Sequence, residues 1–475
     1  MAVEWSGLTP EIMLQLDCGT GGTLGTQLQA ALRTAIRSGR LRAGERLPSS
    51  RKLASDLGVS RGLVQGTYEQ LSAEGYLTAT GGGATRVAMG LRQPVSEQAT
   101  VESPIDVGID FAPGRPDLNS FPMRDWLWAC GEVARTASRK DIGYGEAAGS
   151  PRLREVLASY AQRVRAASVG ARDVIVCSGF TQGVALTLRV LRERGHGTVA
   201  VEDPGHSEMV MHVRRAGLDP VPVPVDAHGV VVDELRRTAA TAVILTPAHQ
   251  TPTGVVLTAG RRQDLVRWAD ERDGVMIEDD YDSEFRYDRR PVGALQGLAP
   301  DHVVMIGSAS KSLGPSLRLG WILAPSHLAP AIAEEKHRSD RGSPGLDQLA
   351  LARLIESGRY DAHLRRMRRA YAAKRGSLTE ALHEHAPHLR LTGLDAGFHA
   401  VTALPEGTDE AATIAAAARR SIHLHGMHRY RFHDASDRPA IIFGFGDLNE
   451  HAIRSGIARI ADLLSRPSGR SAMRR

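Results

Sequence analysis

The most pointed chemistry in this chain lies in VVMIGSASKSLGPSLRLGWI, residues 303–322. Lys311 follows an apolar, strand-like run, stands between small hydroxyl residues, and precedes Arg318 by seven positions. An amine at a strand end, with hydroxyls and a guanidinium nearby, suits a phosphorylated aldehyde. The amine closes a Schiff base, while Ser308, Ser310 and the Arg318 fork take the phosphate. Pyridoxal 5′-phosphate (PLP) is a cofactor of that kind. The use of lysine sharpens the point. Only five of the 59 basic residues are lysine (Lys52, Lys140, Lys311, Lys336 and Lys374), and a guanidinium cannot serve as the Schiff-base amine.

Other blocks fit the same cofactor. IEDDYDSEFRY offers Asp279 as the anion that keeps a pyridine nitrogen protonated. Tyr281, two residues on, faces the same way along a strand and can bond the phenolic oxygen. SGFTQG places Gly179, Phe180 and Thr181 at a helix start, where backbone amides can cradle phosphate. EDPGH puts His206 after a turn, where a flat ring can stack on the cofactor. TPAHQTPTG sets His249 and Gln250 before a Pro-Thr-Gly turn. Each block taken singly also has a plainer reading: a βα turn, a solvated acidic loop or a structural histidine.

The elements that must hold these residues are legible as a pattern. From about residue 105, buried-looking runs such as DVIVCSG, GTVAVEDPG, AVILTPA, VMIEDDY and HVVMIGSAS alternate with helical stretches. That alternation predicts an α/β fold with a mostly parallel sheet. Ligands in such sheets bind at the carboxyl ends of strands, where Glu202-Asp203, Thr246–His249, Asp279–Tyr281 and Ser308–Lys311 fall. With 475 residues, 42% hydrophobic and 24% charged, the chain is of ordinary globular composition and long enough for several domains. No apolar run reaches membrane-spanning length, and the first residues do not read as a signal peptide. Cys18, Cys130 and Cys177 are too few and scattered for a disulfide framework or a zinc site. A cytoplasmic setting is the expectation.

Residues 24–88 read differently. Leu28, Leu32 and Ile36 mark one helix face. SSRKLASDLG reads as a second helix, with Ser49 or Ser50 as cap and Gly58 as stop. VSRGLVQGTYEQLSAEGYL is a third, with Val64, Tyr68 and Leu71 inward. Two short strands around a glycine turn follow. The whole makes a winged helix-turn-helix whose exposed face carries Arg61, Gly62, Gln65, Gly66 and Glu69. Arg61 suits guanine and Gln65 adenine, while Ser50, Arg51, Ser60 and Arg86 suit the DNA backbone. The chain's net charge is +5, yet residues 33–61 alone carry eight basic and two acidic residues, a local +6. That concentration is the better sign of a nucleic-acid partner.

The wording of this first segment resembles the winged-helix domain of the GntR family of bacterial repressors. LPSSR and GVSR are the most specific blocks, and they imply operator contacts by Arg51 and Arg61. The later blocks, in the order YGEAAGSPRLRE, SGFTQG, EDPGH, TPAHQTPTG, EDDYDSEF and SASKSLGPSLRLGW, resemble fold-type I aminotransferases. This likeness implies that Lys311 forms the internal aldimine. Asp279 then pairs with the ring nitrogen, Tyr281 bonds the phenolate, and Thr181, Ser308, Ser310 and Arg318 bind phosphate. It also implies that Tyr144 reaches the cofactor of a neighbouring subunit, hence a homodimer. Two positions depart from the aminotransferase pattern: His206 replaces the usual stacking aromatic, and Thr251 stands where asparagine is usual.

Together the halves resemble the MocR subfamily of GntR-type transcriptional regulators. The expected boundaries are 1–88 for the DNA-binding domain, 89–107 for a linker, 108–467 for the aminotransferase-like PLP-binding domain and 468–475 for a disordered tail. The resemblance implies a head-to-tail homodimer that binds double-stranded operator DNA and responds to PLP, or to the adduct PLP forms with an amine or amino acid. Arg438 is a candidate clamp for an effector carboxylate. Glu208, near the stacking position, disfavours simple ω-amino acids and points to PLP itself or a more cationic amine, as in control of vitamin B6 supply or amino-compound metabolism. A working aminotransferase with an incidental DNA-binding unit, and a binding-only protein with an empty site, are the alternative readings.

Overall fold

The computed structural model describes residues 23–79, 84–89, 108–287, 292–432 and 438–464. The expected linker (Met89 aside), the tail and the tip of the glycine turn lie outside these residues. The chain divides into two compact units, residues 1–103 and 104–475.

In the first unit, hydroxyl caps start all three helices among the described residues. Thr23 caps Leu24–Arg37, Ser49 caps Ser50–Leu57 and Ser60 caps Arg61–Ala73. The second helix therefore takes Ser49 as its cap and Ser50 as its first turn. It stops at Gly58 in the left-handed region, φ 64°. Leu28, Leu32, Ile36, Val64, Tyr68 and Leu71 bury into one core, as their helical spacing demands. The Tyr68 hydroxyl donates to the Pro48 carbonyl at 3.0 Å, locking the third helix to the entry of the second. Strands β1 (Leu77–Ala79) and β2 (Thr85–Val87) pair antiparallel. The segment Gly44–Leu47 adds a third rung along β2, with Leu47 N donating to Thr85 O and Val87 N to Glu45 O.

The second unit opens with β3 (Ile109–Asp110) and is built on an eight-stranded sheet in the order β4-β11-β10-β9-β8-β5-β6-β7. The strands are β4 (Val174–Cys177), β5 (Thr198–Asp203), β6 (Asp219–Asp226), β7 (Gly229–Val230), β8 (Ala242–Leu245), β9 (Val275–Asp280), β10 (Val303–Ser308) and β11 (Gly320–Leu323). β11 runs antiparallel between β4 and β10, and β7 is a short antiparallel edge. The other pairings are parallel. Alternate residues feed two cores: Val174, Val176, Val243 and Met276 one, Ile175, Cys177, Ile244 and Ile277 the other. Helices cover both faces, so these strands are apolar throughout. A smaller antiparallel sheet follows, β12 (Leu391–Thr392), β13 (His399–Ala403), β16 (Ala440–Gly444) and β15 (His425–Gly426). β14 (Ile422–His423) pairs with β3.

Burial accounts for much of the lysine usage. Lys336 is fully buried against Asp340, at 2.7 and 2.9 Å. Lys374 is buried and donates to Asp117 at 2.8 Å and to the Gly446 carbonyl at 2.7 Å. A compact ammonium fits such slots where a planar fork does not.

Behind the end of β9, Arg165 makes two bonds of 3.0 Å to Asp280, and both side chains are nearly excluded from solvent. Removing one partner of such a pair leaves a buried charge uncompensated. Arg165→Ala is expected to lower unfolding free energy by about 3–5 kcal/mol. An unchanged thermal or denaturant midpoint would contradict that account.

Candidate functional sites

Parallel register gathers the strand ends. Asp279 on β9 lies opposite Ile306 on β10, and Leu245 on β8 opposite Glu278. The loops leaving these ends enclose a cavity of about 530 Å³. Phe180, Thr181, His206, Asp279, Tyr281, Ser308, Ser310, Lys311 and Arg318 all line it. Gly179 borders it through Arg318: a Cβ on Gly179, whose φ is +110°, would come within 3.4 Å of the Arg318 guanidinium. The glycine thus leaves an open cradle between a helix start and a guanidinium, the shape and charge a phosphate needs. Ser308 and Ser310 stand on the β10 loop beside it, with Ser310 N bonded to Ser308 Oγ at 3.4 Å.

The electrostatics match a cationic ring with an aldehyde. Burial, then the neighbouring Asp280, pushes the Asp279 carboxyl well above its usual range, and Lys311 only partly offsets this. Such a carboxylate gains most from a cation placed beside it. Burial also lowers the Lys311 pKa against the opposing pull of Asp279 and Asp282. That favours the neutral amine a Schiff base requires. Lys311 Nζ donates to the Gly114 carbonyl at 2.5 Å. These residues therefore fit PLP on both counts, an anion cradle and an amine facing a buried acid.

Several participants escaped the sequence reading as site residues. Glu202, at the end of β5, lines the cavity floor, and burial pushes its carboxyl up to about 7 against bonds from Thr246 and Gln250. Gln250 is a buried tie between loops, donating to the Pro204 and Thr251 carbonyls at 2.8 Å each. Tyr430, Arg431 and Phe432 reach the mouth from the smaller sheet's side. They are pinned there by Gly205 N to Tyr430 O at 2.7 Å and Phe432 N to Asp203 at 3.1 Å. The alternating RYRF wording was the one available signal for them.

Some expected residues are placed otherwise. Arg438 is exposed just ahead of β16 and does not line the cavity. Strand β16 carries the chain into the smaller sheet from there, and the cavity-lining arginines are Arg214, Arg318 and Arg431. Tyr144, expected to serve a neighbouring subunit, is 95% exposed and lies outside this chain's own cavity. His206 lines the mouth and also caps the helix Ser207–Arg215, its Nδ1 accepting from Glu208 N at 3.4 Å.

The first unit presents a second candidate surface. Arg61, Gly62, Gln65, Gly66 and Glu69 are exposed on the third helix, opposite buried Val64, Tyr68 and Leu71. A Cβ on Gly62 or Gly66 would meet no described atom within 4 Å, so packing within the unit does not require glycine there. Arg37, Arg40, Arg42, Arg46 and Arg51 are exposed as well, and Ser50 is half-buried in the second helix's first turn. Arg33, by contrast, forks onto Glu74 at 2.9–3.0 Å, which removes one charge from the basic stretch. Gln65 Nε2 donates to Glu69 at 3.1 Å, and Arg86 is half-buried with a bond to the Gly44 carbonyl at 2.9 Å. Among the described residues no helix is long and apolar enough to cross a membrane.

Comparison with known proteins assigns a family to each unit. Residues 24–87 match the bacterial regulatory proteins of the gntR family, and residues 107–432 match aminotransferase class I and II. Over 93% of its length the chain is 32% identical to the HTH-type pyridoxine biosynthesis transcriptional regulator PdxR of Corynebacterium glutamicum, of which 96% is covered. It is 31% identical to the probable rhizopine catabolism regulatory protein MocR of Rhizobium meliloti, over 94% of each chain. Among solved structures it is similar to an archaeal alanine:glyoxylate aminotransferase, with a TM-score of 0.68, 25% identity and coverage of 75% of this chain and 90% of that one. The multiple substrate aminotransferase of Thermococcus profundus shares the fold, with a TM-score of 0.70, 24% identity and coverage of 76% and 92%.

The Lys311–Asp279 arrangement makes a prediction in the protein without cofactor. Because burial lowers the Lys311 pKa, this amine is expected to react with an aldehyde or acylating probe at lower pH than exposed Lys52 and Lys140. Asp279 opposes that lowering, so Asp279→Asn should move the pH–rate profile of Lys311 labelling further down. Mass-spectrometric labelling rates would show it, and an upward or absent move would be the contrary result.

Proposed function

Because the chain belongs to the MocR-type transcriptional regulators, with a gntR-family domain ahead of an aminotransferase class I and II domain, we propose that its operator binding responds to PLP held in the second unit. The effector is PLP itself or the adduct it forms with an amine or amino acid. One observation carries the reading: a single chain joins an arginine-bearing exposed helix face to a cavity where Lys311, Asp279 and Tyr281 converge.

PLP supplies an aldehyde that captures amines and a ring that withdraws electrons. Around it, Lys311 offers the amine, Asp279 holds a proton on the ring nitrogen, and Tyr281 faces the phenolic oxygen. Ser308, Ser310, Thr181 and Arg318 hold the phosphate. His206, at the mouth, would supply the flat side chain that stacks on the ring. Glu208 at the mouth repels an effector's carboxylate, which leaves PLP itself or a more cationic amine. The relative named for pyridoxine biosynthesis supports vitamin B6 supply as the controlled pathway, and the one named for rhizopine catabolism supports an amino-compound pathway. The chain acts in the cytoplasm as a head-to-tail homodimer in which Tyr144 of one subunit serves the other's site. A ligand shifts operator affinity to the extent that it binds the two domain arrangements unequally.

Two outcomes are expected. Titration of the upstream intergenic DNA should give different midpoints with and without PLP, and Lys311→Ala should remove both that difference and the yellow colour of the loaded protein. An unchanged midpoint in the wild type would reject PLP as effector. Arg61→Ala should cost about 1–3 kcal/mol of specific affinity, and equal affinity in a gel-shift or anisotropy titration would reject the groove assignment.

A further inference from the structure

A buried trio that the reading above leaves unused adjoins the cavity, and one of its members, His399, lines it. His249 belongs to the loop after β8, Asp282 to the loop after β9, and His399 opens β13 in the smaller sheet. All three are at most 2% exposed. Their polar atoms lie within 4.8 Å of one another, close enough to suggest a metal ion. The geometry argues otherwise. His249 Nδ1 stands 2.7 Å from Asp282 Oδ2, a direct hydrogen bond. Two ligands of one tetrahedral zinc, with bonds of about 2 Å, sit about 3.3 Å apart.

Both nitrogens of His249 face acceptors. Nδ1 meets Asp282 Oδ2, and Nε2 lies 3.3 Å from the Gly393 carbonyl. Only the imidazolium offers a proton to each. Burial opposes that charge, but the Asp282 carboxylate outweighs it, and the His249 pKa is raised. His399, 4.7 Å away ring to ring, spends Nε2 on the Pro252 carbonyl at 3.1 Å. Burial and the charge of His249 bring its pKa down to about 3, so it stays neutral. The remaining charged or titratable groups facing His249 are Tyr281 and Arg286. There is no slack around the pair: a Cβ on Gly397 would come within 2.7 Å of the His249 ring and 2.2 Å of Asp282 Oδ2.

The cation adjoins the one phenol in the cavity wall that the PLP reading uses. The Tyr281 hydroxyl donates to the His249 carbonyl at 3.0 Å, and its oxygen lies 3.1 Å from His249 Nδ1. The Thr251 side chain also bonds Tyr281. We propose that His249, held as a cation by Asp282, is a positioning residue: it fixes the Tyr281 oxygen, and its charge polarises that hydroxyl, whose proton would turn from the His249 carbonyl to the phenolic oxygen of bound PLP. The inference rests on the PLP reading of the cavity. It assigns the histidine of TPAHQTPTG to the site without giving it contact with the cofactor. Through Gly393 and His399 the same pair ties Tyr281 to the smaller sheet.

The test uses full-length protein loaded with PLP, with circular dichroism as the folding control. The readout is the pH midpoint at which the bound chromophore changes absorbance. Removing the cation makes negative charge on the phenolic oxygen costlier, so the proton is retained to higher pH. His249→Gln removes the cation and leaves the Asp282 carboxylate, so it should raise the midpoint by about one pH unit, as expected for loss of a charge at this range; Asp282→Asn removes the anion along with the cation it holds and should raise it by less. Tyr281→Phe should raise it too, and Tyr281→Phe combined with His249→Gln should add nothing further. If His249→Gln does not fold, Asp282→Asn removes the pairing with less change of shape and reads the effect at smaller amplitude. Wild-type midpoints in both single variants, with Tyr281→Phe shifted, would overturn the role of His249 and leave the PLP reading standing. A wild type that takes up no PLP would overturn both.

Discussion

The architecture of the second unit turns on a charge problem at the carboxyl ends of the sheet. Glu202, Glu278, Asp279, Asp280 and Asp282 all lie on or just beyond β5 and β9, in surroundings that penalise ionised carboxylates. Each receives its own compensation. Arg165 forks onto Asp280, the Leu295 and Gln296 amides donate to Glu278, and Thr246 and Gln250 donate to Glu202. His249 takes Asp282. Asp279 is the carboxyl turned to the cavity, with the Lys311 amine as its opposing charge. With the other four satisfied from within, Asp279 is the one of these acids left facing the cavity.

The same reasoning orders the basic residues. Arginine dominates this chain, and it is placed where a planar fork can bond twice: Arg165 on Asp280, Arg33 on Glu74, Arg152 on Glu356. Three of the five lysines sit where that shape would not serve. Lys336 and Lys374 fill buried slots with one acid each, and Lys311 faces the cavity with an amine whose pKa burial lowers. Lys52 and Lys140 are exposed. A scarce residue type was thus informative because its chemistry, and not only its charge, was needed.

In the first unit, local chemistry carries most of the form. Hydroxyl caps at Thr23, Ser49 and Ser60 start each helix, and Gly58 ends one in a conformation other residues resist. Three short apolar stripes then leave a single way to close the core, which puts Arg61, Gln65 and Glu69 outward. What pattern could not supply was the state of individual charges. Arg33 counts as basic in composition, yet it is matched by Glu74, 41 residues away.

The sequence by itself determined the two-unit plan, the alternation that makes the sheet mostly parallel, and the identities of Lys311, Asp279, Tyr281 and Arg318. These follow from periodicity, caps and motif wording, all of which are local along the chain. Only the tertiary structure decided that Arg438 stands outside the cavity while Arg431 lines it, and that His249 meets Asp282, 33 residues on, and Gly393, 144 residues on. The physical reason is range. A helix face or a strand end is set by neighbours a few residues away, whereas a buried charge is stabilised by whichever distant group packing brings within about 3 Å.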